Sequence, residues 1–531
     1  MADTYPRSCL SSMAVSADCE RSQTQGGCAR LGAKDRSRLV AAGRAFWMSV
    51  GLTPNPDLPT RTVTRGGRKP LSPTAAESRE LTIRPKQQKA ADQNGHSRSS
   101  QTASVARHGG KKVLVNCRCP SHFMLAQCPV DQRDRVEMAS RPNVLIIGGG
   151  IGGLFAANAL IRLGLRVSVF EQASALGEIG AGVFVTPNAV RHLERVGLGP
   201  AVERWGARVG PGSCYFRHDG TPIAPVQVSD ASGWNATFGM HRADFVDFLA
   251  AHLPAGIVHT SHRAVAFEQT DDVARVRFGN GAIAEADVVV AADGIHSELR
   301  PYVFPPSSPV FHGTVSYRGL VSRVRLPNWP MDRWQMWAGP SRHFLVFPVR
   351  HGTMVNYVGF VPTDEEMKES WSAPGDPAVL RREFEGWDPR IGDVLQQVDK
   401  TFRWALYDRE PLPAWSRGRL TLLGDAAHPM LPHLGQGANQ AIEDGMALAT
   451  ILAQVDTSAV PASLLAYERL RRERVAQIQL GARQNGLRLD STDIDLSTRD
   501  AALAAHAEFR KHLYTYDVVP DACAAAAALL Q

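Results

Sequence analysis

Residues 422–445 read LLGDAAHPMLPHLGQGANQAIEDG, which concentrates groups able to hold a polar, partly anionic ligand. An apolar strand over 420–423 leads into Gly424 and Asp425, a carboxylate at the strand tip that can accept a hydrogen bond from a sugar-like hydroxyl. His428 and Pro429 form a rigid turn, and Gly435 and Gly437 carry a loop into a helix that starts near Ala438 and Asn439. The unsatisfied N–H groups of such a helix start face negative charge favourably. His433 is the member of the stretch suited to take up a proton near neutral pH.

A second constellation lies far upstream. Gly148, Gly150 and Gly153 fill G-x-G-x-x-G directly after an apolar strand at 143–147 and at the opening of a helix over 152–163. The first glycine allows the tight turn, the second lets a pyrophosphate approach the backbone, and the third lets helix and strand pack closely. Glu171 ends the next strand, 166–170, where a carboxylate can take ribose hydroxyls. This is a dinucleotide site, but the fingerprint does not separate NAD from FAD. A third motif, Asp293 and Gly294, terminates a buried strand at 286–292 and precedes Ser297-Glu298-Leu299-Arg300.

These groups need a scaffold. Residues 143–170 form a βαβ start, the mark of an α/β fold. Alternating strands follow at 315–324, 333–337, 344–349, 354–361 and 402–407, with most of the tryptophans in or near them, as in a mixed or antiparallel sheet covering a pocket. Helices are expected at 440–453 and 462–484. The division is a basic extension (1–137), a Rossmann-like first part (138–304), a sheet domain (305–414), and a return to the first domain with C-terminal helices (415–531).

Composition narrows the function classes. The chain has 531 residues and a formal charge of +7, but residues 1–137 hold 22 Lys/Arg against 11 Asp/Glu, a net of +11, leaving −4 for the remainder. The part with the motifs is mildly acidic, so a nucleic-acid partner is not expected. Residues 1–137 are rich in Ser, Arg, Gln, Gly and Pro without helical or strand periodicity, and read as a disordered extension. Met138 would start a complete enzyme without them. Six of eight cysteines (Cys9, Cys19, Cys28, Cys117, Cys119, Cys128) lie there without C-x-x-C or zinc-like His spacing, so no metal is expected. The two others, Cys214 and Cys523, fit a reducing cytoplasmic setting. No secretory signal or membrane span is read: 144–161 is apolar but carries glycines at loop spacing.

Taken in order, the fingerprint, Asp293-Gly294 and Gly424-Asp425 resemble the single-component (group A) FAD-dependent aromatic hydroxylases, the salicylate-hydroxylase-like flavin monooxygenases. Further segments are similar to that family: Glu178-Ile-Gly-Ala-Gly-Val with Pro187-Asn188, His241-Arg242-Ala-Asp244, Tyr317-Arg318-Gly-Leu, and Tyr514-Thr-Tyr516-Asp517. The resemblance spans roughly 141–520. It implies FAD as bound cofactor, NAD(P)H as co-substrate, and O₂ activated as a flavin C4a-hydroperoxide that hydroxylates a phenolic or small aromatic substrate. It implies Arg242 beside the FAD and the Gly435–Asn439 backbone at the flavin's pyrimidine edge. A base near the substrate hydroxyl would help the reaction. His433 is the leading candidate and Tyr317 the second, with packing roles as their alternatives. Some relatives carry a His three residues before the Tyr, where this chain has Thr314, or a polar residue at the pocket entrance, where it has Phe184. Those departures argue against the same relatives' particular acids. Other readings are oxidation of a non-aromatic secondary metabolite, an FAD dehydrogenase, and a flavoprotein binding module. Substrate, NADH versus NADPH, and oligomeric state, a homodimer included, stay open.

Overall fold

Parallel pairing places the motif-bearing strands side by side. In a computed structural model of the chain, describing residues 141–177, 181–364, 373–490 and 495–531, the first sheet runs Ser416–Arg417, Leu420–Leu422, Val288–Ala291, Asn143–Ile147, Arg166–Phe170, Val258–His259. All its pairs are parallel except the first. In register, Leu422 pairs with Ala291, Ala291 with Ile147, and Ile147 with Phe170. Each chain leaves the sheet at its carboxyl end, so Gly148, Glu171, Asp293 and Gly424 emerge along one edge. This is where ligands of open α/β sheets bind.

The expected strand over 286–292 is divided. Ile283–Ala286 belongs to a three-stranded antiparallel sheet with Ala274–Phe278 and Ala264–Gln269, and only Val288–Ala291 enters the parallel sheet. Asp287 marks the switch, its carboxylate accepting the Asn143 N–H at 2.8 Å.

The second large sheet has eight strands: Ala373–Gly375, Thr401–Asp408, Val310–Ser322, Met354–Pro362, Arg342–Val349, Gln335–Gly339, Cys214–Arg217, Pro222–Pro225. It is antiparallel but for the Gln335–Gly339/Cys214–Arg217 pair, and its strands Cys214–Arg217 and Pro222–Pro225 come from well before residue 305. Its far face packs on two short helices, Pro377–Glu383 and Pro389–Gln396, each started by an aspartate cap, Asp376 or Asp388. The strand pattern over 315–407 gives no sign of these helices. The near face turns towards the parallel sheet. Helices Gly437–Leu452, Val460–Leu489, Leu496–Thr515 and Val518–Ala527 complete the fold; the second is longer than its periodicity suggests at both ends. Among the described residues no helix is long and apolar enough to cross a membrane. The basic extension, Met138, and Glu178–Gly180 of the family-like segment fall outside the described residues.

Candidate active site

The three fingerprint glycines differ in what a side chain would meet. Gly148 has φ +115°, and an added Cβ would stand 2.2 Å from the Ala292 carbonyl oxygen. At Gly153 it would stand 2.1 Å from the Gly148 carbonyl. At Gly150 it would meet no protein atom within 4 Å, because that position opens into a cavity of about 670 Å³. Helix Ile151–Arg162 starts there with no side-chain cap, leaving its first N–H groups for a ligand. Glu171 lines the same cavity and accepts the N–H groups of Gly149 (2.7 Å) and Ala173 (2.8 Å).

The other two loops meet at one arginine. Arg300 is buried and donates to the carbonyls of Ala426 (2.7 Å), Ile295 (2.9 Å), Asp425 (3.1 Å) and Gly294 (3.3 Å). Burial and nearby Arg409 push its guanidinium down to about 10, opposed by Asp293 and Asp425. Asp293 takes the N–H of Glu298 at 2.9 Å on one oxygen, while its other oxygen is buried without a partner. Burial raises its carboxyl. Asp425 presents an exposed side chain along the cavity, and Arg242, also lining it, is depressed by burial with Asp425 opposing. Gly424 (φ +61°) and Gly435 (φ +65°) occupy left-handed turns that favour glycine.

Gly435, Gly437 and Ala438 line the cavity at the uncapped start of helix Gly437–Leu452. Pro429 and Asn439 are not among the lining residues. Asn439 instead accepts the Thr186 N–H (2.9 Å) and donates to the carbonyls of Phe184 (2.9 Å) and Gly435 (2.7 Å), so it holds the loop from behind. The Pro429 carbonyl accepts from Gln479 at 2.9 Å. His428, 1 % exposed, bonds Asp444 at 2.6 Å and is a loop anchor.

Beneath this loop is a buried charge network that no local motif announces. Arg471 donates to Glu443 (2.7 Å) and Asp444 (2.8 Å), all three side chains being inaccessible. Asn188 donates to Glu443 at 2.6 Å. Arg474 and Arg471 hold the Glu443 carboxyl down at about 2 against its burial, and His428 and Arg471 likewise depress Asp444.

The sheet side of the cavity reverses one expectation. Tyr317 does not line it. Strand Val310–Ser322 points Val315, Tyr317 and Val321 into the core beneath the two short helices, and its neighbour Arg318 into the cavity. Thr314 does not line the cavity either, so its identity carries no information about substrate. Phe184 does line it, edge-on to Phe347. Arg318 lies 3.9 Å over the Trp404 ring and donates to the Ser316 hydroxyl at 2.9 Å. No carboxylate among the described residues pairs with it. Burial, with Arg242 nearby, lowers it to about 9, so it stays charged at neutral pH. His433 lines the cavity between His343 (rings 5.1 Å apart) and Phe360 (5.3 Å). Burial, with His343, His312 and Arg318 adding to it, drives its imidazole well below the ordinary value. Tyr317→Phe should therefore leave turnover within about twofold, since only a core hydroxyl is lost; steady-state NAD(P)H oxidation with substrate checks this, and a large fall would return Tyr317 to the reaction.

A close-approach glycine turn, two uncapped helix starts, an acidic group at each end of the motif-bearing edge and an unpartnered Asp293 oxygen fit FAD. The comparisons agree. The FAD binding domain family matches residues 141–481. A 3-amino-4-hydroxybenzoate 2-monooxygenase of Streptomyces platensis is 38% identical over 351 residues, 65% of this chain and 88% of that protein. A salicylate hydroxylase of Pseudomonas putida is 36% identical over 421 residues, 72% of this chain and 94% of the other. Among solved structures, a salicylate hydroxylase substrate complex aligns with a TM-score of 0.64 and 29% identity, covering 73% of this chain and 98% of that one. The chain belongs to the single-component FAD-dependent aromatic hydroxylases. It is a flavin monooxygenase that binds FAD and takes NAD(P)H as co-substrate.

Proposed function

We propose that the chain inserts one atom of O₂ into a small phenolic ring, the ring lying on the apolar floor formed by Val358, Leu345 and Met336 with its hydroxyl towards His433. FAD, once bound and reduced, supplies the activated oxygen. The chain's own residues bind, orient and exclude water. The floor is one row of the sheet, Arg318–Val358–Leu345–Met336, in hydrogen-bonded register. Gly148, Gly150, Glu171, Arg242, Asp293, Gly294, Gly424 and Asp425 would hold the dinucleotide. The uncapped helix start at Gly437 would favour negative charge on the reduced flavin.

The observation that carries the substrate reading is Arg318, a partly buried cation without a carboxylate partner among the described residues, at one end of an apolar floor. A cation there favours the ionised form of a phenol, which is the better nucleophile. His433, kept neutral by its surroundings, accepts a hydrogen bond from the hydroxyl; the local positive charge does more to release the proton than the imidazole's own basicity. Relatives named for salicylate, 6-hydroxynicotinate and 3-amino-4-hydroxybenzoate all act on hydroxylated aromatic rings, which supports the same class here.

Arg318→Met should lower kcat/KM about 10²-fold, and the pH at which activity rises should move upward towards the free phenol's pKa. A pH profile that falls in height but does not move would assign Arg318 a packing role. The reading as a whole is tested by substrate-stimulated NAD(P)H oxidation across phenols, with product mass measured. A mass gain of one oxygen is expected; NAD(P)H consumption with only peroxide as product for every ring would overturn it.

A further inference from the structure

The floor's other end carries a second cation, this one buried and supplied by one of the C-terminal helices. Arg510, on Leu496–Thr515, lines the cavity although the residue is only 5 % exposed. It donates to the Tyr514 and Tyr215 hydroxyls, each at 3.0 Å. Its Nε is buried with no partner, and no carboxylate among the described residues pairs with it. His506, one turn back, is held near 3 by burial with Arg510 and Arg488, and Arg488 bonds its Nε2 at 2.9 Å. The tyrosine hydroxyls, bonded to the guanidinium, hold its charge on.

Other buried arginines have evident work. Arg471 pairs with two carboxylates, and Arg300 and Arg419 are met by backbone carbonyls. Arg510 commits two of its five N–H donors to neutral phenols. Burying a guanidinium without an anion costs several kcal/mol. A carboxylate that enters the cavity offsets that cost and fits the planar fork with two parallel hydrogen bonds. The position suits a ring substituent. Tyr215 continues the floor row past Met336, two strand spacings or roughly 10 Å from Leu345, on the side away from Arg318. Trp334 closes that end, its ring centroid 5.8 Å from the guanidinium.

We propose that Arg510, seated on Tyr215, binds a carboxylate carried by the aromatic substrate and makes the enzyme select hydroxyaryl carboxylic acids over neutral phenols. This rests on the reading of the floor as the aromatic-ring site. Arg510 acts on binding, so its loss should appear in KM and not in kcat.

The holoenzyme is assayed with the three hydroxybenzoates and the matching hydroxybenzamides, and benzoate binding is followed by its perturbation of the flavin absorbance. Arg510→Met should raise KM for the acids about 30-fold or more, change kcat and the amides' KM less than threefold, and abolish the benzoate perturbation. Arg510→Lys, keeping charge but not the fork, should fall between. Equal effects on acids and amides would make Arg510 a structural tie of the helix and overturn the assignment. So would wild-type enzyme that neither prefers acids nor binds benzoate. If no ring is hydroxylated but benzoate binds to wild type and not to Arg510→Met, the hydroxylation reading fails and the anion site stands.

Discussion

Gly150→Ala should give a folded protein that has lost its flavin, whereas Gly153→Ala should lose fold and flavin together. The two positions belong to one fingerprint but differ in their surroundings. At Gly150 the backbone has φ −77°, ordinary for any residue, and a Cβ would meet no protein atom within 4 Å. The apoprotein should unfold at the wild-type denaturant concentration or slightly above, since Gly→Ala at a compatible position restricts the unfolded chain by about 0.4–1 kcal/mol. The methyl instead occupies space through which the diphosphate approaches the helix start. Retention of FAD should fall at least 100-fold. At Gly153 the Cβ would stand 2.1 Å from the Gly148 carbonyl, so the helix must back away from the strand. Overpacking of this kind costs about 1–3 kcal/mol, more where the obstacle is backbone. Flavin absorbance after gel filtration and urea unfolding of the apoproteins distinguish the two. A Gly150→Ala enzyme that keeps its flavin would show that the ligand does not approach the chain there.

Arg471→Met should destabilise the fold by about 3–5 kcal/mol at neutral pH, because it leaves two buried carboxylates short of a cation. Glu443 would keep Arg474 and Asp444 would keep His428, so the loss is partial. The effect carries a pH signature. In the folded wild type Glu443 stays ionised down to about 2, while in the unfolded chain it titrates near 4.5. Its contribution is complete above about pH 4.5 and is lost as pH falls from there towards 2. Without Arg471 the folded pKa moves back up. The variant should therefore be less stable at pH 7 yet lose less on acidification, and the two stabilities should converge in acid. Urea midpoints from pH 7 down to about 2.5 measure this. Parallel curves would mean that Arg471 acts through packing and not through charge. Because the same network anchors the loop through His428 and Gly424, the variant should also bind FAD more weakly.

The glycine-bearing loops around the cavity could be read from residue types because each requirement is local. A positive-φ turn, a carbonyl 2.1 Å from a missing Cβ and a carboxylate at a strand end are satisfied within a few residues, and glycine or an acid there leaves a visible pattern. Tyr317 was misplaced for an equally local reason. Residues of a strand alternate between faces, and the sequence gives the alternation without saying which face meets a cavity and which meets helices. The apolar side, with Val315 and Val321, packs on helices Pro377–Glu383 and Pro389–Gln396, of which the strand pattern gives no sign. The polar side, which would ordinarily meet water, meets the ligand cavity, and so Arg318 faces it.

Pro429 and Asn439 show the same limit at finer scale. Both sit within the motif that marks the flavin loop, yet Asn439 turns inward to Thr186, some 250 residues earlier in the chain. Arg300 follows Asp293-Gly294 closely in the sequence, but its role as the staple between the Asp293 and Asp425 loops appears only where two strand ends come together.

The order of motifs along the chain was enough for the family, the α/β architecture and the FAD, since these follow from glycine geometry and strand–helix alternation over short spans. Which groups line the cavity was decided by folding. Arg318, His433 and Arg510 lie on a sheet strand, a short 3-10 turn and a C-terminal helix, and although His433 stands out in its motif, nothing in the local sequence brings the three to one cavity. A buried charge reveals its role only when every neighbouring group is known, because what distinguishes it is the partner it lacks, and that is a property of the packed interior.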